Sequence, residues 1–219
     1  MHAPVIIIGA GPAGCSTSLF LSQQKIKHVI LEQSEFPRDK ICGDALSGKV
    51  VEVLKKYDEG IIHRMASDPT HFLGSWGVKF VAPNGKALDI PFKQNISAEP
   101  HAPGFISRRM HFDQFLVNQL DLEYAQLITK ASVVSIERSE NINQVVYEKD
   151  GSTSSMTCDI IVGCDGDRSV VEKHFVNRPV APLHYCAGIR AYYKNVSDLH
   201  PQNFIELHFL DELLPGYFW

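Results

Sequence analysis

The sequence predicts an α/β protein of two interleaved domains, one built on a βαβ unit and the other rich in short strands. Three observations carry that prediction. Val5 to Glu32 reads as strand, glycine turn, helix and strand. Ile61 to Phe105 and the final third of the chain show short alternating runs instead. Cys158 to Ser169 then repeats the opening theme, an aliphatic strand running into a glycine turn.

The first unit opens with Val5-Ile6-Ile7-Ile8, turns through Gly9-Ala10-Gly11-Pro12-Ala13-Gly14, continues as a helix to Gln24 and returns as His28-Val29-Ile30-Leu31-Glu32. Gly9 permits the sharp turn, Gly11 lets the backbone approach a pyrophosphate, and Gly14 lets the helix pack close to the sheet. Pro12 gives up an N–H that has no intrahelical partner in the first turn. The remaining N–H groups there, with the positive end of the helix dipole, suit phosphates. A glycine turn between strand and helix also arises for packing alone. Here an acid closes the second strand, and this Rossmann-like context points to dinucleotide binding. Glu32 can accept both hydroxyl protons of an adenosine ribose and would repel a ribose 2′-phosphate. The glycines do not separate FAD from NAD.

The next stretch, Gln33 to Gly48, contains Phe36-Pro37-Arg38-Asp39-Lys40-Ile41-Cys42-Gly43-Asp44. Arg38 and Lys40 bring positive charge toward the phosphates, and Cys42-Gly43 offers a small reactive group on backbone able to approach a flat ring. A charged surface loop with a buried cysteine fits the same residues. Val50, Val51, Val53 and Leu54 give Gly48 to Tyr57 helical spacing, ending before Asp58-Glu59-Gly60. Val78 to Val81, the turn Pro83-Asn84-Gly85-Lys86, and Leu88 to Ile90 predict a β-hairpin in the second domain.

Ser107 to Asp113 opens a helix whose apolar positions Phe112, Phe115, Leu116, Leu120 and Leu122 mostly share a face. Arg109 at its start opposes the helix dipole, which suits an anionic partner; a solvated arginine is the alternative. Ala131 to Arg138, Gln144 to Lys149 and a run through Met156 predict a meander covering the first domain. The strand from Cys158 delivers Cys164-Asp165-Gly166-Asp167-Arg168-Ser169, an acid, a glycine and a serine-headed helix suited to a cofactor role. His184 to Lys194 and Phe204 to Leu210 read as strands, and the chain closes on Leu213-Leu214-Pro215-Gly216-Tyr217-Phe218-Trp219. Residues 1–60 and 106–175 are thereby expected in one domain, 61–105 and 176–219 in the other.

Composition narrows the function. The 219 residues are 44% hydrophobic and 21% charged, which indicates neither a disordered nor a membrane-spanning chain, and the net charge of -4 argues against nucleic acid as a partner. Five cysteines without a CxxC pair suggest neither a disulfide framework nor a metal site. A reducing cytoplasm fits, with any membrane contact peripheral.

Gly9-x-Gly11-x-x-Gly14 with Glu32, Pro37-Arg38-x-Lys40-x-Cys42-Gly43, Arg109-x-x-Phe112-Asp113, Cys164-Asp165-Gly166-x-x-Ser169 and Leu214-Pro215-Gly216-Tyr217-x-Trp219 together resemble the geranylgeranyl reductase family of FAD-dependent oxidoreductases. These flavoproteins share the p-hydroxybenzoate hydroxylase fold. The resemblance implies a Rossmann-like FAD-binding domain with an interleaved β-rich substrate domain. It implies FAD contacts from Gly9, Gly11, Pro12, Ala13, Gly14, Glu32, Gln33, Arg38, Lys40, Cys42, Gly43, Arg109, Val134, Asp165, Gly166 and Ser169. Cys42 would face the flavin ring as a candidate proton donor, and Tyr217 and Trp219 would line a channel for a prenyl lipid or prenyl diphosphate. NAD(P)H or ferredoxin would supply electrons. A flavin-dependent monooxygenase or halogenase of the same fold is the alternative enzyme. Asp44 stands where the family commonly has a second glycine. The family's later Gly-Asp segment is not in these residues, so a fragment that binds FAD without completing catalysis is also expected as an outcome.

Overall fold

The run Val5 to Ile8 is buried on both faces, which only a central strand covered on both sides can be. The computed structural model describes residues 1–95, 99–139, 142–176, 182–184 and 186–219. In chain order these form β1 (His2–Ile8), α1 (Pro12–Gln23), β2 (His28–Leu31), β3 (Ala45–Leu46), α2 (Gly48–Tyr57), α3 (Glu59–Ala66), β4 (Leu73–Ser75), β5 (Gly77–Val81), β6 (Ala87–Pro91) and β7 (Gly104–Ile106). They continue as α4 (Arg109–Val117), β8 (Ala125–Ile128), β9 (Ser132–Arg138), β10 (Asn143–Lys149), β11 (Ser152–Gly163), α5 (Val170–Phe175) and β12 (Ile205–His208). The chain divides into two units, 1–39 with 113–187, and 40–112 with 188–219.

The first unit holds a six-stranded sheet in the order β8-β2-β1-β11-β10-β9. Its first four strands are parallel, and β10 and β9 extend it antiparallel. β11 explains the change. The sequence reads as two runs, but the structure has one long strand whose residues from Thr157 onward pair with β1 and whose earlier residues pair with β10. Strand alternation sends Ile6, Ile8, Val29 and Leu31 to one face, where they share a core with Val133, Ile136, Val145 and Met156 of the meander. On α1 the buried residues are Gly14, Cys15, Ser18, Leu19 and Ser22. His28 is buried too; its Nδ1 donates to the Ile26 carbonyl, leaving Nε2 to accept from the Ser18 hydroxyl at 2.6 Å.

The second unit has two small sheets, β12-β5-β6 and β3-β7-β4. The expected hairpin is present as β5 and β6, antiparallel from Gly77↔Pro91 to Val81↔Ala87. Helix α2 has the bounds its spacing predicts. Helix α3 was not expected. Asp58-Glu59-Gly60 reads as a stop, yet Asp58 is an N-cap whose carboxylate accepts the Gly60 N–H at 2.8 Å, and Ile61, Ile62 and Met65 bury one face. The expected helical face at Leu120 and Leu122 also ends early: α4 stops at Val117 and Leu122 is 77% exposed. No strand forms among the described residues of 184–194. Arg190 and Tyr192 point their side chains at the loop after residue 40 instead. Residues 40–60 and 106–112 fall in the second unit and 176–187 in the first, the reverse of the sequence division. The reason is local pairing: β7 hydrogen-bonds β3 and β4, and the turn into α4 is tied to Asp44.

Candidate functional site

In the first unit the parallel strands β1, β2 and β11 end level with one another, Ile8 facing Leu31 on one side and Gly163 on the other. Three segments that the sequence singles out leave from that edge: the glycine turn, Glu32, and Cys164-Asp165. Ligands of open α/β sheets bind outside the carboxyl ends of such strands. The backbone is closely fitted here. Gly9 has φ +96, and a Cβ on it would lie 2.4 Å from the Cys164 carbonyl oxygen; a Cβ on Gly14 would lie 1.8 Å from the Gly9 oxygen. Gly11 caps α1 with no side-chain hydrogen bond, so the first-turn N–H groups face outward without a capping side chain. Pro12 opens the helix and Ala13 is exposed beside it.

Glu32 is buried, and its Oε2 accepts the Ala10 N–H at 2.8 Å while Oε1 accepts the Ser34 N–H at 3.0 Å. The carboxylate therefore holds the glycine turn itself, and each oxygen retains acceptor capacity for a ribose hydroxyl. Gln33 follows it, exposed. Arg38 sits 3.5 Å from Glu32 and donates to Asp113 at 2.9 Å, beneath a cation–π contact with Phe36. It is an internal ion-pair partner first, where the sequence suggested a phosphate ligand. Asp165 likewise turns inward: its carboxylate accepts the Ser169 hydroxyl and the Val170 N–H, both at 2.6 Å, and Ser169 caps α5 through the Glu172 N–H. Gly166 starts the short 3-10 turn between them. Val134 is apart from the glycine turn. Alternation on β9 puts Val133 in the core and Val134 outside, lining a shallow cavity of about 380 Å³ with Val170, Lys173 and His174. Cys15 is fully buried behind the turn; burial pushes its thiol up to about 12, helped by the Asp113 and Glu32 carboxylates.

The second unit brings together residues far apart in sequence. Cys42 is exposed, and Gly43 lies against the Trp219 indole, where a Cβ would be 3.4 Å from Nε1. The Tyr217 ring is 6.0 Å from Trp219 and 6.0 Å from Phe209, which stacks on Phe80. Lys40 lends its carbonyl to Arg190 at 2.9 Å. Asp44 receives the Arg109 backbone N–H at 3.2 Å and the Tyr192 hydroxyl at 2.6 Å, and the ring of Tyr192 carries the guanidinium groups of Arg108 and Arg190 at 4.4 and 4.8 Å. Sequence reasoning missed Tyr192 and Arg190, and gave Asp113 only as part of the helix-start motif. No local pattern links Tyr192 to a residue 148 positions earlier.

A glycine cradle that no Cβ could enter, an uncapped helix start and an acid at the next strand fit a dinucleotide cofactor. The family model of an FAD binding domain matches residues 2–180. The chain belongs to that family. FAD is accordingly the dinucleotide that this cradle serves. Among relatives of this FAD-binding chain, a digeranylgeranylglycerophospholipid reductase of Methanocaldococcus jannaschii is 23% identical over 218 residues, spanning 98% of this chain and 51% of that protein. A menaquinone reductase of Mycobacterium tuberculosis is 24% identical over 225 residues, spanning 99% and 51%. The chain thus covers about half the length of these curated relatives. In structure it is similar to p-nitrophenol 4-monooxygenase from Pseudomonas putida, with a TM-score of 0.66, 16% identity, and coverage of 78% of this chain and 43% of that one. The fold is that of the p-hydroxybenzoate hydroxylase-like flavoproteins. Among the described residues no helix is long and apolar enough to cross a membrane.

Proposed function

We infer that the chain is the FAD-binding part of an oxidoreductase that reduces isoprenoid carbon–carbon double bonds. The observation carrying this reading is the packing of Trp219 on Gly43, the residue that follows exposed Cys42. The relatives named as prenyl-lipid and menaquinone reductases support it. When bound and reduced, FAD supplies a hydride for one alkene carbon. The chain's own residues do the rest. Gly9, Gly11, Pro12, Ala13 and Gly14 hold the pyrophosphate, Glu32 and Gln33 the adenosine end, with Gly166 and Ser169 as further cofactor contacts. Arg38 and Asp165 act by fixing Glu32 and the 165–170 turn. Tyr217 and Trp219 hold the prenyl chain and exclude water, and the Cys42 thiol gives a proton to the other carbon. NAD(P)H or ferredoxin is the electron source, and the substrate a prenyl lipid or prenyl diphosphate reached by peripheral contact with the membrane.

The test is the chain loaded with FAD, chemically reduced without air, and given geranylgeranyl diphosphate or a geranylgeranylated lipid. Mass spectrometry should show two added hydrogens per reduced bond, and Cys42→Ala should slow turnover about tenfold to a hundredfold or more. Unchanged turnover in Cys42→Ala removes the thiol from the mechanism. A hydroxylated or halogenated product in air would replace this reading with the monooxygenase or halogenase one. Bound flavin with neither product would make the chain an FAD-binding fragment.

A further inference from the structure

Resting on that reading, we propose that Asp44 is a positioning residue that sets the Cys42–Gly43 turn through a clamp made with Arg109, Tyr192 and Arg190. Asp44 has φ +53, in the left-handed region that disfavours a residue carrying a Cβ. Glycine is the least strained occupant of such a backbone, and the aspartate that stands here adds side-chain bonds that glycine could not make.

That side chain is buried and fully engaged. Oδ1 accepts the Arg109 backbone N–H at 3.2 Å and lies 3.8 Å from the Arg190 guanidinium, while Oδ2 accepts the Tyr192 hydroxyl at 2.6 Å. The main chain of the same residue accepts the Ser107 N–H at 2.8 Å. Arg190 then reaches back to the Lys40 carbonyl at 2.9 Å, gripping the loop on the other side of Cys42. The turn is thus held at residue 40 and at residue 44, and the two residues between the grips that matter chemically are Cys42, exposed, and Gly43, against Trp219. Both grips come from one short segment, 190–192, stiffened where Arg108 and Arg190 each pack on the Tyr192 ring. A charge-assisted bond of 2.6 Å from a phenol to a buried carboxylate is among the stronger single contacts a loop can have. Loosening it frees the orientation of Cys42 without removing any atom of that residue.

The experiment measures alkylation of each cysteine by iodoacetamide in the FAD-loaded chain, resolved by mass spectrometry. Cys186 is exposed and lies in the other unit, so it serves as the internal control. Asp44→Gly keeps the backbone conformation and deletes the clamp; Tyr192→Phe deletes one hydroxyl. Both should change the Cys42 rate relative to Cys186 by about threefold or more. Asp44→Asn tolerates the same φ and keeps one acceptor oxygen, so its rate should fall between the wild type and Asp44→Gly. If Asp44→Gly fails to fold, Tyr192→Phe decides alone. A Cys42/Cys186 ratio unchanged in the folded variants overturns the proposal, as does a change that Cys42 and Cys186 share, which would report general loosening. Because alkylation requires no turnover, its result is independent of whether an alkene is reduced.

Discussion

Cys15 shows how one residue's surroundings separate a structural thiol from a reactive one. Its Sγ donates to the Ala10 carbonyl at 3.2 Å, and burial lifts its pKa from 9.0 to about 12. Cys42 and Cys186 are exposed, so alkylation at neutral pH should modify those two and spare Cys15. The shift also makes stability depend on pH. In the unfolded chain the Cys15 thiol ionises as the pH passes its ordinary value of 9.0, while in the folded chain it stays protonated until about 12. Its contribution is therefore complete below pH 9 and is lost as the pH rises toward 12. Urea unfolding of the wild type and Cys15→Ala at about pH 8 and about pH 10.5 should show the wild type losing more stability over that interval. Equal losses would show that the thiol ionises alike in both states.

At the scale of elements, the βαβ unit depends on two glycines meeting backbone. Gly14→Ala would push a Cβ to 1.8 Å from the Gly9 oxygen, and no side chain can move aside to relieve it. The turn and α1 must separate, at a cost of about 2–3 kcal/mol. FAD affinity should fall as well, because the first-turn N–H groups move with the helix. Equilibrium denaturation and flavin titration check both effects; a variant that binds FAD normally would mean the cradle is not the phosphate site. The element that sequence reading missed, α3, makes the complementary point. Asp58 both closes α2 and caps α3, so a signal read as a break is also the start of another helix.

At the scale of the whole molecule, the first unit is discontinuous, leaving at residue 39 and returning at 113. Arg38 and Asp113 stand at those two points and pair at 2.9 Å, with Asp113 fully buried. Arg38→Ala would leave the Asp113 and Glu32 carboxylates without their shared cation and should cost about 3–5 kcal/mol in urea unfolding. Arg38→Lys should recover only part of that, since an ammonium lacks the guanidinium fork. A loss below about 1 kcal/mol would mean the pair is no stronger than a surface ion pair. None of this closure is visible in the sequence, where Arg38 reads as a charge for phosphates and Asp113 as part of a helix start. The sequence by itself determined the βαβ unit, the β5–β6 hairpin and α2, because glycine sterics and apolar periodicity act between near neighbours. It also singled out Glu32 as the acid closing the second strand, which the structure shows accepting the Ala10 and Ser34 N–H groups. Only the tertiary structure decided that Arg38 and Asp165 turn inward, that Val134 lies apart, and that Tyr192 and Arg190 grip the loop at Asp44. Those outcomes turn on which polar groups meet across distant parts of the chain, where burial makes each available partner count and local pattern carries no record of the meeting.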